Sequence, residues 1–96
     1  MKLVFLATTK NDFIWLRYYY QRIFPQGREK AQKQFKSINK LLKENPLIGH
    51  ESDSGDVLEF SIPNTPFSYI YQIKKDQIQV LRVWDERQQR IEELEE

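Results

Sequence analysis

The segment Phe67-Ser68-Tyr69-Ile70-Tyr71-Gln72-Ile73-Lys74-Lys75-Asp76-Gln77-Ile78-Gln79-Val80-Leu81-Arg82-Val83-Trp84 decides the fold. Phe67, Tyr69, Tyr71 and Ile73 alternate with Ser68, Ile70, Gln72 and Lys74, the period of a strand with one buried face. Lys75-Asp76 fits a tight hairpin turn, and Ile78 to Trp84 forms the next strand. Val80 and Leu81 are apolar in succession, as in a central strand buried on both faces. Upstream, Leu58, Phe60 and Ile62 alternate with Val57, Glu59 and Ser61. The turn Pro63-Asn64-Thr65-Pro66 joins that strand to the segment.

The N-terminal half reads differently. Residues 3–7, Leu-Val-Phe-Leu-Ala, make a short strand. Thr8, Thr9 and Asn11 are N-cap candidates, with Asp12 favourable in the first helical turn. From Asn11 to Phe24 the period is helical. Phe13, Leu16, Tyr20, Ile23 and Phe24 share one face, while Ile14, Trp15, Tyr18 and Tyr19 lie outside it. Pro25 and Gly27 end this helix. A second helix runs from about Arg28 to Glu44 by the same periodicity. Its apolar stripe is Ala31, Phe35, Ile38, Leu41 and Leu42, with Lys30, Lys33, Lys36, Lys40 and Lys43 opposite. Asn45-Pro46 stops it. The short link predicts an antiparallel helical hairpin. Residues 46–56 read as loop, and residues 85–96 as an acidic tail, either a short helix or a disordered end. The order β-α-α-β-β-β gives one α+β domain over residues 1–96. Its helical hairpin packs on a mainly antiparallel four-stranded sheet.

Composition narrows the chemistry. The chain has 96 residues and no cysteine, which excludes a disulfide scaffold and thiolate metal sites. With one histidine, His50, a histidine-rich metal site is excluded, and no metal or cofactor is expected. No apolar run approaches the roughly 18 residues of a membrane span. Met1 to Ala7 is too short for a signal peptide, so a cytoplasmic protein without a membrane partner is expected. Residues 1–50 carry a net charge of +7 and residues 51–96 carry −6. This asymmetry points to a charged partner for the first half, or to halves whose fields cancel once folded. The lysine face of the second helix is open to the same two readings. No glycine-rich phosphate loop or base-stacking motif supports sequence-specific DNA binding by this chain alone.

Three stretches carry a family resemblance. They are Asn45-Pro46-Leu47-Ile48-Gly49, Thr65 to Ile73, and Ile78-Gln79-Val80-Leu81-Arg82-Val83-Trp84-Asp85-Glu86-Arg87-Gln88. Their order and spacing resemble the RelE/ParE superfamily of bacterial toxin–antitoxin toxins, and the last run resembles the ParE-like branch. The resemblance implies a plasmid-stabilisation type toxin neutralised by a cognate antitoxin. It implies DNA gyrase as target for the ParE-like branch. For RelE-like members it implies ribosome-dependent mRNA cleavage. An inactive relative that binds only antitoxin is the remaining reading.

Cleavage at a 2′-hydroxyl needs a base, cations for the phosphorane charge and an acid for the leaving oxygen. The arginine that RelE-like nucleases often carry early in the middle strand falls near Ser68. Their basic cluster after the last strand falls near Asp85-Glu86-Arg87, and no Tyr or His follows Tyr71. The remaining nuclease candidates are His50, Arg82 and Arg87. Two positions also depart from the ParE pattern. Asp85 stands where histidine often follows the tryptophan, and Glu59 where arginine is common. The favoured reading is therefore a binding toxin with no catalytic residues. Arg82, Trp84, Asp85 and Arg87 are its candidate target contacts, although Arg82 is also expected to pair with a carboxylate such as Glu59 or Asp85. Trp84 is expected first to cap the core and only second to take part in target binding. Trp15, Tyr18 and Tyr19 are the candidate antitoxin contacts, because exposed aromatic surface marks an interaction site; the alternative is that some of these rings pack against the sheet or the second helix.

Overall fold

The computed structural model describes residues 1–53, 55 and 57–88. Residues 89–96, most of the acidic tail, lie outside the described residues. Strand β1 (Lys2–Phe5) leads through a 3-10 turn to helix α1 (Lys10–Tyr18). A π turn (Tyr19–Ile23) and a 3-10 turn (Pro25–Gly27) then lead into α2 (Arg28–Glu44). The strands β2 (His50–Glu51), β3 (Leu58–Ser61), β4 (Phe67–Lys74) and β5 (Gln77–Asp85) follow. The sheet order is β1-β5-β4-β3-β2. Only β1 and β5 pair in parallel; the other neighbours are antiparallel. The architecture is the expected α+β one with a fifth strand. Within the stretch read as loop, His50 and Glu51 pair with Glu59 and Leu58. Two residues are too few to show a strand period in sequence.

One face of the sheet holds the core. Phe67, Tyr69 and Tyr71 of β4 share it by register with Val83, Val80 and Ile78 of β5 and with Leu58 and Phe60 of β3. Both helices pack there: Phe35 of α2 meets the Phe67 and Tyr69 rings, and Phe13 of α1 meets Phe5 of β1. Leu42 is fully buried, so the predicted α2 stripe faces the sheet. The buried hydroxyls of Tyr69 and Tyr71 both find partners. Tyr69 donates to Asn39 Oδ1 at 2.6 Å, and Tyr71 donates to the Pro46 carbonyl at 2.8 Å and accepts from the Gly49 amide at 3.0 Å. A Cβ at position 49 would lie 2.7 Å from the Tyr71 oxygen, so the loop needs glycine there.

The first helix departs from its expected span. The Phe24 amide donates to the Tyr19 carbonyl, a π-type bond at 2.8 Å. This wide turn breaks the 3.6-residue period after Tyr18. Tyr19 and Tyr20 are consequently both buried, while Ile23 and Phe24, expected on the core face, are exposed. Phe24 instead lies against Gly27, where an added Cβ would fall 2.1 Å from the ring.

A bulge sets the phase of β5. Tyr71 pairs with Val80 and Ile70 with Arg82, leaving Leu81 as the extra residue. Ile78 and Val80 before it, and Val83 and Asp85 after it, are all buried. Uninterrupted alternation would have turned Arg82 and Trp84 inward. The successive Val80-Leu81 pair thus marks a bulge rather than burial on both faces. Past Phe5, β1 ends and β5 continues, and side chains take over its open edge. Thr8 Oγ1 donates to the Leu81 carbonyl at 2.6 Å, and the Val83 amide donates to Asp12 Oδ2 at 2.9 Å. Asp12 also receives Arg82 in a two-pronged ion pair, Nε and Nη2 each at 2.8 Å. Thr9 occupies the α1 cap position, yet its hydroxyl donates back to the Leu6 carbonyl. None of the N-cap candidates caps α1 through its side chain.

Asp12→Ala leaves the Val83 amide and Arg82 without their partner, whereas Arg82→Ala spares the Val83 bond. The expected losses are about 2–3 kcal/mol for Asp12→Ala and about 1 kcal/mol for the half-exposed Arg82→Ala. Urea midpoints at unchanged m-value check the order; equal losses would remove the edge-closing role of Asp12.

Candidate functional site

Two carboxylates organise the far end of β5. Asp85, the strand's last residue, is 3% exposed. It accepts four hydrogen bonds. Trp15 Nε1 reaches Oδ2 at 2.9 Å; Arg87 contributes its amide and Nε to Oδ1 at 3.0 Å each and Nη2 to Oδ2 at 2.8 Å. Burial alone would raise the Asp85 pKa, but the hydrogen bonds from Arg87 and Trp15 outweigh it and hold the carboxyl below its ordinary value. Arg87 lies over the Tyr19 ring at 4.5 Å from its centre. Its pKa is raised, chiefly by the Asp85 hydrogen bond. Desolvation also pushes the neighbouring Tyr20 hydroxyl up to about 12.

The second node is the Asp12–Arg82 pair. The Arg82 guanidinium sits 5.2 Å from the Trp84 ring centre, and the Asp12 hydrogen bond raises its pKa. The pairing expected with Glu59 or Asp85 is corrected here: the partner comes from α1, and Asp85 is taken by Arg87. Trp84 is half-buried beside Arg82 rather than on the core face. Glu86, next in line, accepts from Ser61 Oγ at 2.6 Å and from the buried Ser68 Oγ. The target candidates Arg82, Trp84, Asp85 and Arg87 thus gather at one end of the sheet, with Asp85 covered.

The nuclease candidates do not converge. His50 lies in register with Glu59, Glu59 with Ile70, and Ile70 with Arg82. Three strand spacings, about 14 Å, separate His50 from Arg82. Among the described residues no group of three or more His, Cys, Asp or Glu is placed to hold a metal ion. No described helix is long and apolar enough to cross a membrane.

The aromatic trio on α1 divides. Tyr18 is 51% exposed and stacks on Trp15, with Ile14 exposed nearby. Trp15 is half-buried, its indole fixed to Asp85. Tyr19 is a core residue packed edge-on to Phe67 and Tyr20. Beside them runs a trough between the helices. Leu16, Tyr20, Ala31 and Phe35 line a part of about 190 Å³ with Arg17 and Arg28. The adjoining part, about 410 Å³, extends past Phe13 and Lys36 to Asn39. Phe13 and Asn39 line the second part and Tyr20 and Arg28 the first, the placement an antiparallel hairpin requires.

Sequence reading missed Asp12 as a member of this region, because its partners are 70 residues away. The one available signal was an acidic residue one helical turn before Trp15, matching the three-residue step from Arg82 to Asp85.

The Asp85 shift has a pH consequence. A carboxyl whose folded pKa is depressed contributes stability in full above its ordinary unfolded value and loses it as pH falls through the folded one. Asp85→Asn therefore flattens the fall in urea midpoint as pH drops through and below the ordinary carboxylate range, while lowering stability near pH 7. Parallel acid limbs in variant and parent would contradict this.

The family model for the ParE toxin of type II toxin-antitoxin system, parDE, matches residues 3–90. No curated protein matches the chain. Among solved structures, a chain of the chromosomal ParDE TA system from P. aeruginosa is similar in fold, with a TM-score of 0.66 and 24% identity. The match covers 86% of this chain and 92% of that one. With the helical hairpin, the sheet order and the β5 terminus in place, this chain belongs to the ParE toxin family of type II toxin–antitoxin systems.

Proposed function

We propose that this ParE-family chain is a cytoplasmic toxin of the plasmid-stabilisation type. It acts by binding DNA gyrase and disturbing its cleavage–religation cycle, and a cognate antitoxin neutralises it by covering the helical hairpin and sheet edge. The observation carrying the binding mechanism is the state of the two arginines. Arg82 is committed to Asp12 and Arg87 to Asp85, so both guanidiniums are neutralised by carboxylates, and His50 is three strands away from Arg82. A cleavage site needs free cations and an acid–base pair around one phosphate. What this end of the sheet offers instead is a rigid surface of half-exposed arginine on aromatic rings, suited to macromolecular contact.

Target contact is assigned to Arg82, Trp84 and Arg87, with Asp85 positioning Arg87. Antitoxin contact is assigned to Tyr18 with the exposed part of Trp15. Tyr19 supports them from the core.

Purified protein is expected to inhibit DNA supercoiling by gyrase, reversibly on addition of antitoxin, and Trp84→Ala is expected to lower that inhibition about tenfold or more. No inhibition by excess folded protein would overturn the gyrase assignment. Cleaved mRNA in ribosomes, lost in Arg82→Ala without unfolding, would replace it with the nuclease reading; growth unaffected by the chain alone would replace it with the antitoxin-only relative. For the partner, Tyr18→Ala is expected to weaken antitoxin binding about tenfold, or about 1.4 kcal/mol, with little change in stability. Unchanged affinity would remove that contact.

A further inference from the structure

The trough between α1 and α2 has an apolar floor and a cationic rim. Leu16, Tyr20, Ala31 and Phe35 supply the floor; Arg17, Arg28 and Lys36 stand along it, and among the described residues no Asp or Glu lines either part. An occupant should therefore carry aliphatic anchors flanked by carboxylates. A basic segment would be repelled, and a purely apolar one would leave the rim unanswered.

One segment of the chain itself has this chemistry. Residues 89–96 read Gln-Arg-Ile-Glu-Glu-Leu-Glu-Glu, with Ile91 and Leu94 set among four glutamates. Residues 1–88 carry a formal charge of +4 and residues 89–96 carry −3. The attachment point is also close. Arg87 rests on the Tyr19 ring, Tyr19 touches Tyr20 edge-on at 4.8 Å, and Tyr20 is part of the trough floor. Eight residues reach at most about 27 Å, enough to run from Tyr19 along the hairpin. Because the segment is tethered, weak contacts suffice: its effective concentration at the trough is on the order of millimolar.

We propose that the C-terminal segment, residues 89–96, docks in the α1–α2 trough through Ile91 and Leu94, with its glutamates against Arg17, Arg28 and Lys36. It thereby competes with the antitoxin for the hairpin; this competition, though not the docking, rests on the antitoxin reading above.

The absence of cysteine allows a clean test. A nitroxide is attached to the full-length Glu93→Cys protein, and amide signals are compared with the label active and reduced. Docking predicts loss of the Leu16, Ala31 and Phe35 signals at about 0.05 M salt while those of His50 and Glu51 persist. The losses reverse at about 0.5 M salt and in the Arg17→Glu, Arg28→Glu double variant. Broadening no greater at the trough than at β2, or unaffected by charge reversal, overturns the docking. A chain ending at Gln88 is expected to bind antitoxin more tightly than the full chain. Equal affinity, with the label still reporting docking, overturns the competition alone. Neither readout uses gyrase, so the outcome is separate from that of the target assignment.

Discussion

Strand β5 outlasts its parallel partner, and the rest of the structure is arranged around that mismatch. β1 pairs with residues 77–80 only, while β5 runs on to Asp85. A central strand with one bare edge would leave amides and carbonyls unsatisfied beside the core. Thr8 and Asp12 close that edge from the start of the helical segment. The same contacts fix where α1 begins and how it lies on the sheet. Asp12 is therefore more than a favourable first-turn anion. It holds α1 to β5 and neutralises Arg82.

The bulge at Leu81 converts this edge into a surface. One added residue puts Val83 and Asp85 on the core face and sends Arg82 and Trp84 to the other. Asp85 is then buried beneath Trp15, whose indole N–H hydrogen-bonds it, and Arg87 folds back to supply the opposing charge. Both arginines end neutralised yet partly exposed, each against an aromatic ring. This is a poor arrangement for cleaving a phosphodiester and a good one for a defined binding surface. The buried charge of Asp85 is thus compensated locally.

The hairpin shows the complementary chemistry. Its lysines and arginines meet no described acidic partner beyond the exposed Glu29–Lys33 pair, and its trough keeps aromatic and aliphatic surface near solvent. A free toxin gains by covering such a surface, and so does a complex. The π turn matters here. By burying Tyr19 together with Tyr20 it leaves Tyr18 as the exposed ring of the three, so the aromatic surface offered to a partner is narrower than the helical period implied.

The sequence alone determined the strands of the Phe67–Trp84 hairpin, the α2 stripe and the α+β order, because period and turn chemistry are local; the family showed only as a resemblance carried by three stretches. It also identified Arg82, Trp84, Asp85 and Arg87 as one cluster through their nearness in the chain. Two-residue β2, the π turn and the Leu81 bulge were illegible, since each is a one- or two-residue break in period selected by packing from elsewhere. The partners of the charged residues were likewise decided only by the tertiary structure. Arg82 could have met Glu59 or Asp85 by proximity in the sheet. It meets Asp12 because the end of β1 brings the first turn of α1 against the open edge of β5, and no spacing within the chain encodes that distance.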